Sequence, residues 1–278
     1  MGVLVVIPAR YGSTRFPGKP LALLQGKPVI QHVYERAKAA TRANEVVVAT
    51  DDQRIAEAVA RFGGRAVMTS PAARSGTERV CEVARDRDAQ VIINVQGDEP
   101  LIHPDMIDQL AEYLERHRAI PMASLMTKLA RQEDTASPNV VKVVVDRDGF
   151  ALYFSRAAIP FIRNAQGSGL MAQGIAECGL RNADFPIQNP KSKIQNPTLP
   201  AASYKHLGIY GYQRHFLLQF PHLEPTPLEQ AEQLEQLRAL EHGYRIKLLE
   251  TAHDTIGVDT PDDLKRVEAM VQPLAARA

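Results

Sequence analysis

The sequence is poor in cysteine. Only Cys81 and Cys178 occur among 278 residues, and neither belongs to a CxxC motif. The sequence therefore indicates neither a disulfide framework nor a zinc site, and it favours a reducing cytoplasm as the compartment. His32, His103 and His253 show no metal-ligand spacing with one another either.

The sequence also lacks an excess of either charge and any long apolar run. Its 33 basic and 32 acidic residues give a formal charge of +1, so no overall basic field would attract nucleic acid. No stretch approaches the roughly 20 apolar residues that span a bilayer. The short apolar run at the amino terminus has no basic segment before it, unlike a secretory signal. We expect a soluble protein that binds neither nucleic acid nor membrane.

What is present is an alternation of apolar runs with amphipathic segments, typical of βα units with a parallel sheet. At 278 residues the chain could hold one or two domains, and we interpret it as one. The expected strands are nearly continuous apolar runs at Val3–Ile7, Val46–Ala49, Ala66–Met68 and Val91–Val95. The expected helices between them are Pro28–Ala40, Gln53–Phe62 and Thr77–Arg87.

A predicted hairpin, Val141–Val145 with Ala151–Phe154, interrupts this alternation and indicates a mixed sheet or a smaller attached subdomain. The segment Arg163–Ser203 is rich in Gly, Asn, Pro, Gln and Ser and repeats IQNP, so we interpret it as a flexible surface insertion. After the insertion, the pattern predicts two strands and three helices. They are Leu207–Tyr212 and Ile246–Leu249, and Arg214–Phe220, Pro227–Leu240 and a helix from Pro261.

The loop after the first strand, PARYGSTRFPGKP, combines three cations with two glycines. Arg10, Arg15 and Lys19 lie where a parallel strand ends, the edge at which open α/β sheets bind ligands. Glycine allows backbone N–H groups close to phosphate oxygens, and arginine and lysine supply charge. Five residues separate Gly12 from Gly18 and Pro20 follows Lys19, so the loop is not a Walker A motif, and GxGxxG is absent. The pattern therefore predicts a phosphate cradle of another kind, and the alternative is a solvated basic loop.

Two acidic segments are candidates for a metal site. Asp98 and Glu99 follow the strand Val91–Val95, and a carboxylate there can hold Mg²⁺ or simply terminate the strand. Asp259 precedes a capping box of Thr260 and Asp263, which explains those two residues but not Asp259 itself. Asp259 reaches the same metal if the last strand returns beside Asp98.

Other polar residues have structural explanations of their own. Glu229 fits a capping box with Thr226, and Ser75 with Glu78 fits another, although a helix that begins after Arg74 could also favour an anion. His206 and Tyr210 share one side of a strand, where a buried, hydrogen-bonded histidine is the more common outcome.

The motifs in order are VVIPARYGSTRFPGKPL, VVVATDD, SGTERVCEVA, VIINVQGDEPLI, SPNVVKVVVDRDG, ALYFSRAAIPF, HLGIYGYQ, PLEQAEQLEQLRAL and GVDTPDDL. Together they resemble the 3-deoxy-manno-octulosonate (Kdo) cytidylyltransferases over nearly the whole chain. The resemblance implies a Rossmann-like nucleotidyltransferase fold, a smaller dimerisation subdomain, a homodimer, CTP and Kdo as substrates, and Mg²⁺.

The resemblance also assigns residues to roles. Arg10, Lys19 and Asp98 would be catalytic, and Asp98 and Asp259 would bind the metal. The nucleotide would contact Arg10, Ser13, Lys19, Arg74, Ser75 and Gln96. The sugar would contact Gln96, Arg156, His206, Tyr210, Glu229 and Gln236.

The implied reaction transfers CMP from CTP to Kdo for lipopolysaccharide biosynthesis. The alternatives are transfer to another acidic sugar such as sialic acid, or a non-catalytic nucleotide-binding protein. Members of the family usually have a shorter connection where Arg163–Ser203 stands here, so this segment is expected to alter the sugar-site rim or the dimer contact.

Overall fold

The computed structural model describes residues 2–12, 15–129, 132–161 and 203–275. The insertion expected at 163–203 lies outside the described residues except for Ser203, and so do Ser13 and Cys178. The interpretation as one domain with a flexible insertion therefore stays a prediction.

The described residues contain a nine-stranded mixed sheet. Its central order is β11-β7-β10-β6-β1-β4-β5, and β8 joins β10 and β9 at one side. Parallel pairs join β1 to β4 and β6, β4 to β5, and β7 to β11, whereas β10 runs antiparallel to β6, β7 and β8. The prediction of a mixed, mostly parallel α/β sheet is confirmed. The strands are β1 Val3–Pro8, β4 Glu45–Thr50, β5 Ala66–Met68, β6 Val91–Asn94, β7 Met122–Lys128, β8 Lys142–Val145, β9 Ala151–Ser155, β10 Tyr204–Gln213 and β11 Ile246–Glu250, with a separate pair β2 Leu23–Leu24 and β3 Lys27–Pro28.

Helices cover both faces of this sheet, so alternate residues of its central strands are buried on opposite sides. Val5 and Ile7 pack in one apolar cluster with α1, α2 and α4, and Leu4 and Val6 pack in another with α3, α6 and α8. None of the described helices is long and apolar enough to cross a membrane. The helices are α1 Val29–Lys38, α2 Gln53–Arg61, α3 Gly76–Arg85, α4 Pro104–Arg116, α5 Gln132–Ala136, α6 Arg214–Gln219, α7 Pro227–Glu232, α8 Gln236–Glu241 and α9 Pro261–Ala275.

The single helix predicted over Pro227–Leu240 is wrong, because α7 and α8 are separated at Gln233, which has a φ of 52°. In a continuous helix, the carbonyls of Glu232 and Gln233 would accept hydrogen bonds from the next turn. Here the Arg156 guanidinium donates to them instead, at 2.8 Å from Nε and 3.4 Å from Nη2. The side chain of the residue that follows β9 thus satisfies the backbone at this break.

Candidate active site

A cavity of about 660 Å³ opens at the carboxyl ends of β1 and β6. The loop after β1 forms one wall, and the start of α3 forms another. The loop after β6, with Asp259 and Gln233, completes it. The lining residues are Pro8, Ala9, Arg10, Gly12, Arg15, Lys19, Pro20, Ala73, Arg74, Ser75, Gly76, Arg79, Gln96, Gly97, Asp98, Gln233 and Asp259.

The ammonium of Lys19 joins the two predicted metal-binding aspartates. Its Nζ lies 2.5 Å from Asp98 Oδ2 and 3.1 Å from Asp259 Oδ1. The Lys19 side chain is only 12% exposed, and Arg15 Nη2 also lies 3.1 Å from Asp259 Oδ2. The expectation that Asp98 and Asp259 come together is met, and their oxygens form a hard donor set within reach of one cation.

Backbone contacts bring Asp259 to Asp98. The Val258 N–H donates to the Asp98 carbonyl at 2.8 Å, which ties the two loops together. Asp263 accepts from the N–H groups of Asp259 and Thr260, while its own N–H donates to Thr260 Oγ1 at 3.2 Å. The predicted capping box is therefore present, and it leaves the Asp259 carboxylate free to face Lys19.

Gly97 allows the loops after β1 and β6 to approach closely. A Cβ atom at this position would lie 2.7 Å from the Pro8 carbonyl oxygen, which is too close for any side chain. The parallel pairing of β1 with β6 fixes this proximity. Gly97 therefore sets the distance between the phosphate-cradle candidate and Asp98.

The adjacent acidic residue, Glu99, differs from Asp98 because it is buried. Burial, reinforced by the charge of Asp98, raises the pKa of Glu99 to about 8. Glu99 consequently carries a proton at neutral pH. Of this acidic pair, Asp98 supplies the negative charge to the cavity.

The start of α3 presents a partly positive helix end to the cavity. Ser75 caps the helix by accepting from the Glu78 N–H at 3.2 Å. The Glu78 carboxylate pairs with Arg74 at 2.8 Å rather than completing a capping box with Ser75. Arg74 is exposed and Ser75 lies at the helix end, so both predicted nucleotide contacts line the cavity.

Of the predicted sugar-binding residues, Gln96 lines this cavity and Glu229 lines a second one. The second cavity, of about 420 Å³, shares Arg74, Ser75 and Gln233 with the first. Glu229 pairs there with Arg238 at 2.5 and 2.8 Å, and both side chains are largely buried. Its oxygen also accepts from the Thr226 N–H at 3.3 Å, as the capping-box interpretation expects.

The other predicted sugar-binding residues lie outside the lining of both cavities. His206 is buried, with Nε2 2.9 Å from Ser124 Oγ, and its ring lies 5.4 Å from that of Tyr210. Gln236 is buried, and its Nε2 has no hydrogen-bond partner within the described residues. Arg156 bonds to backbone carbonyls, as described above. Their roles toward a sugar stay predictions, and Ser13 lies outside the described residues.

Sequence reasoning did not assign Arg79 or Gln233 to the site. Arg79 lines the cavity but is buried and fixed by Asp51 Oδ2 at 2.6 Å. The position of Arg79 on an amphipathic helix gives no indication that its side chain reaches the cavity. Gln233 lies in a segment whose pattern predicts a continuous helix, so the sequence does not indicate that Gln233 forms part of the cavity wall.

The mixed sheet, the basic glycine loop and the paired aspartates are together the fold and site of a nucleotidyltransferase. A family model described as cytidylyltransferase matches residues 4–246. A 3-deoxy-manno-octulosonate cytidylyltransferase from Geobacter sulfurreducens is 49% identical over 267 residues, which cover 96% of this chain and 98% of that protein. One from Pelobacter propionicus is 46% identical over 277 residues and 100% of both chains, and therefore spans the 163–203 connection as well.

Solved structures agree with these relatives. A CMP:2-keto-3-deoxy-manno-octonic acid synthetase complexed with CTP is 41% identical with a TM-score of 0.83, covering 98% of this chain and 99% of that one. A nucleotidyl transferase from Methanothermobacter thermautotroptrophicus, 14% identical with a TM-score of 0.57 over 98% of this chain and 99% of that one, shares the fold. The chain belongs to the 3-deoxy-manno-octulosonate cytidylyltransferase family.

Proposed function

We propose that this protein transfers CMP from CTP to the anomeric hydroxyl of Kdo, releasing pyrophosphate. The observation that carries the proposal is the convergence of Lys19, Asp98 and Asp259 in a cavity walled by a basic glycine loop and a helix amino terminus. The identity to named relatives and to a CTP-bound structure supports the choice of substrates. The product would serve lipopolysaccharide biosynthesis in the cytoplasm.

In this reaction the Kdo hydroxyl oxygen loses its proton to solvent and bonds to the α-phosphorus. The bond from the α-phosphorus to the oxygen that bridges to the β-phosphate breaks, so pyrophosphate carries that oxygen away. Phosphoryl transfer depends mainly on positioning and charge neutralisation, so no covalent nucleophile is needed. Arg10 and Lys19 border the cavity and would neutralise the triphosphate, with Arg74 and Ser75 at the helix end opposite. Gln96 lines the same cavity and would contact both the nucleotide and the sugar.

The donor set fits Mg²⁺, because Asp98 and Asp259 offer only carboxylate oxygens and already share one cationic partner. These two residues would hold the ion. Bound there, Mg²⁺ would neutralise charge on the phosphates and activate the attacking hydroxyl. Lys19 must then exchange its contacts with the aspartates for contacts with the triphosphate.

A homodimer is part of the proposal. Within the described residues, β9 pairs only with β8, and the apolar side chains of Leu152, on β9, and of Phe161, in the segment that follows β9, are exposed. Exposed apolar groups beside an edge strand favour association with another chain. Light scattering on the purified protein should give twice the chain mass of 30.7 kDa, and Leu152→Lys should shift it toward the monomer.

The experiment that tests the function is pyrophosphate release from CTP, UTP, ATP and GTP, each with Kdo and with sialic acid. The proposal expects release only from CTP with Kdo. Release with sialic acid in preference to Kdo would replace the sugar assignment. Binding of CTP without release under any condition would replace catalysis with nucleotide binding.

A further inference from the structure

The aromatic ring of Tyr11 belongs to the loop after β1 but lies outside the described lining of the cavity. It packs against the apolar cluster on the side of the sheet covered by α1, α2 and α4. Tyr11 directly follows Arg10, and Gly18 directly precedes Lys19. Both of these cations line the cavity. Tyr11 and Gly18 are therefore the neighbours of the two cations proposed to bind the triphosphate.

Tyr11 holds Gly18 through its backbone and through its ring. The Gly18 N–H donates to the Tyr11 carbonyl at 3.0 Å, which closes the chain between the two residues. Gly18 has a φ of 72° and begins the short 3₁₀ turn Lys19–Leu21. A Cβ atom at Gly18 would lie 3.1 Å from Cε2 and 3.2 Å from the hydroxyl oxygen of Tyr11. The ring thus packs directly on the residue that orients Lys19.

The ring of Tyr11 is held in turn by Arg54 of α2. The Arg54 Cζ atom lies 3.4 Å from the ring centroid, a stacking distance for a guanidinium on an aromatic face. Asp52 accepts two hydrogen bonds from this guanidinium, at 3.0 Å from Nε and 2.6 Å from Nη2. Asp52 also caps α2 by accepting from the Arg54 N–H at 2.9 Å. The position of the ring is therefore fixed by a helix outside the loop.

We propose that Tyr11 is a positioning residue that sets the placement of Arg10 and Lys19 for the triphosphate of CTP. This role rests on the proposed function. Two cations of one loop neutralise a polyphosphate together only when both face it. A loop that is ordered before the nucleotide arrives loses less conformational freedom on binding, and its affinity is higher for that reason. Tyr11 acts through the loop and does not touch the substrate.

Two glycines with nearly the same backbone conformation provide the test. The φ angles of Gly18 and Gly26 are 72° and 78°, so alanine strains the backbone similarly at both positions. Only at Gly18 does the added Cβ meet Tyr11, since nothing lies within 4 Å of it at Gly26. In titration calorimetry, Gly18→Ala should weaken CTP binding about 10-fold, whereas Gly26→Ala should bind CTP as the original protein does.

A double-mutant cycle separates the contact with Tyr11 from strain at Gly18 itself. Tyr11→Ala should also weaken CTP binding about 10-fold, and adding Gly18→Ala to it should cost less than about twofold more. Tyr11→Phe keeps the ring and should restore the original affinity. Arg54→Met should weaken CTP binding about threefold. Arg61→Met, which changes an exposed arginine of the same helix, is its control and should have no effect.

Kinetics distinguish positioning from a loss of stability. In pyrophosphate release, Gly18→Ala and Tyr11→Ala should raise KM for CTP about 10-fold and leave KM for Kdo within about twofold. A merely structural role would lower the unfolding temperature without changing either KM while the variants are folded. Equal CTP affinity of Gly18→Ala and Gly26→Ala, or a further full 10-fold loss when Gly18→Ala is added to Tyr11→Ala, would overturn the positioning role alone. Absence of CTP binding by the original protein would overturn the proposed function together with it.

Discussion

The ammonium of Lys19 lies 2.5 Å from Oδ2 of Asp98. The same nitrogen contacts Asp259 at 3.1 Å, so one lysine neutralises carboxylates contributed by distant parts of the chain. A divalent ion bound by both aspartates must share their carboxylates with the Lys19 ammonium or displace it. If Asp98 and Asp259 bind the metal as proposed, Lys19 would link nucleotide binding to metal binding, because its ammonium could turn to the triphosphate when the aspartates receive another cation.

Replacing Lys19 should change metal binding and CTP turnover in opposite directions. Lys19→Met should bind Mn²⁺, a probe for Mg²⁺, severalfold more tightly without nucleotide, because no ammonium repels the ion. It should also lower kcat/KM for CTP by about 100-fold or more, as expected for loss of one charge-stabilising group. Titration calorimetry and pyrophosphate release measure the two changes. Lys27→Met is the control, since Lys27 pairs with Glu35 on the surface, and weaker Mn²⁺ binding by Lys19→Met would contradict this account.

The close approach of the two loops at Gly97 should be sensitive to one added carbon. Gly97→Ala should lower the free energy of unfolding by about 1–3 kcal/mol, because its Cβ would meet the Pro8 carbonyl oxygen. At Gly257 nothing lies within 4 Å of the corresponding position, so Gly257→Ala should stay within about 0.5 kcal/mol. Urea denaturation compares the two, and equal stabilities would show that the loops separate at no cost.

The ion pair with Arg238 gives Glu229 a structural role that can be distinguished from sugar binding. Breaking a buried pair leaves one charge without its partner, so Glu229→Gln should lower the free energy of unfolding by about 2 kcal/mol or more. Replacing both partners by methionine should recover much of that loss. A raised KM for Kdo in Glu229→Gln, with stability unchanged, would instead support the sugar-binding role that the resemblance assigns.

The buried His206 should contribute to acid sensitivity. Burial lowers the pKa of His206 to about 3, so the folded protein resists a proton that the unfolded chain accepts below about pH 6.5. Folding free energy is then lost as pH falls from about 6.5 toward 3, by at most about 1.4 kcal/mol per pH unit from this group. His206→Gln keeps a nitrogen donor toward Ser124 and should show a shallower decline in urea unfolding across this range. Equal declines of the unfolding free energy in the original protein and in His206→Gln would mean that the pKa of His206 is the same in the folded and unfolded states.

The sequence predicted those features that depend on neighbouring residues. Continuous apolar runs marked β1, β4, β5 and β6 to within about two residues, since strands covered on both faces need them. The capping residues Thr260 and Asp263 act over three positions and were equally visible. The loop after β1 was recognised as a phosphate-cradle candidate because its glycines and cations are contiguous.

Features that depend on distant residues could not be predicted from pattern. β7 and α4 had no assignment, and nothing local places β10 between β6 and β7. The carbonyls at the break near Gln233 accept hydrogen bonds from Arg156, which follows β9 and is distant in sequence. The contact of Asp98 with Asp259 through Lys19 was conditional on the return of the chain after β11, which only the fold supplies.

The most direct test of the central claim follows CMP-Kdo and pyrophosphate together from CTP and Kdo at saturating Mg²⁺, in the original protein and in Asp98→Asn. The control Asp262→Asn alters an exposed aspartate on α9. The account predicts equal amounts of both products, a turnover reduced about 100-fold or more in Asp98→Asn with an unchanged circular dichroism spectrum, and normal turnover in the control. Unchanged product formation by Asp98→Asn would contradict it.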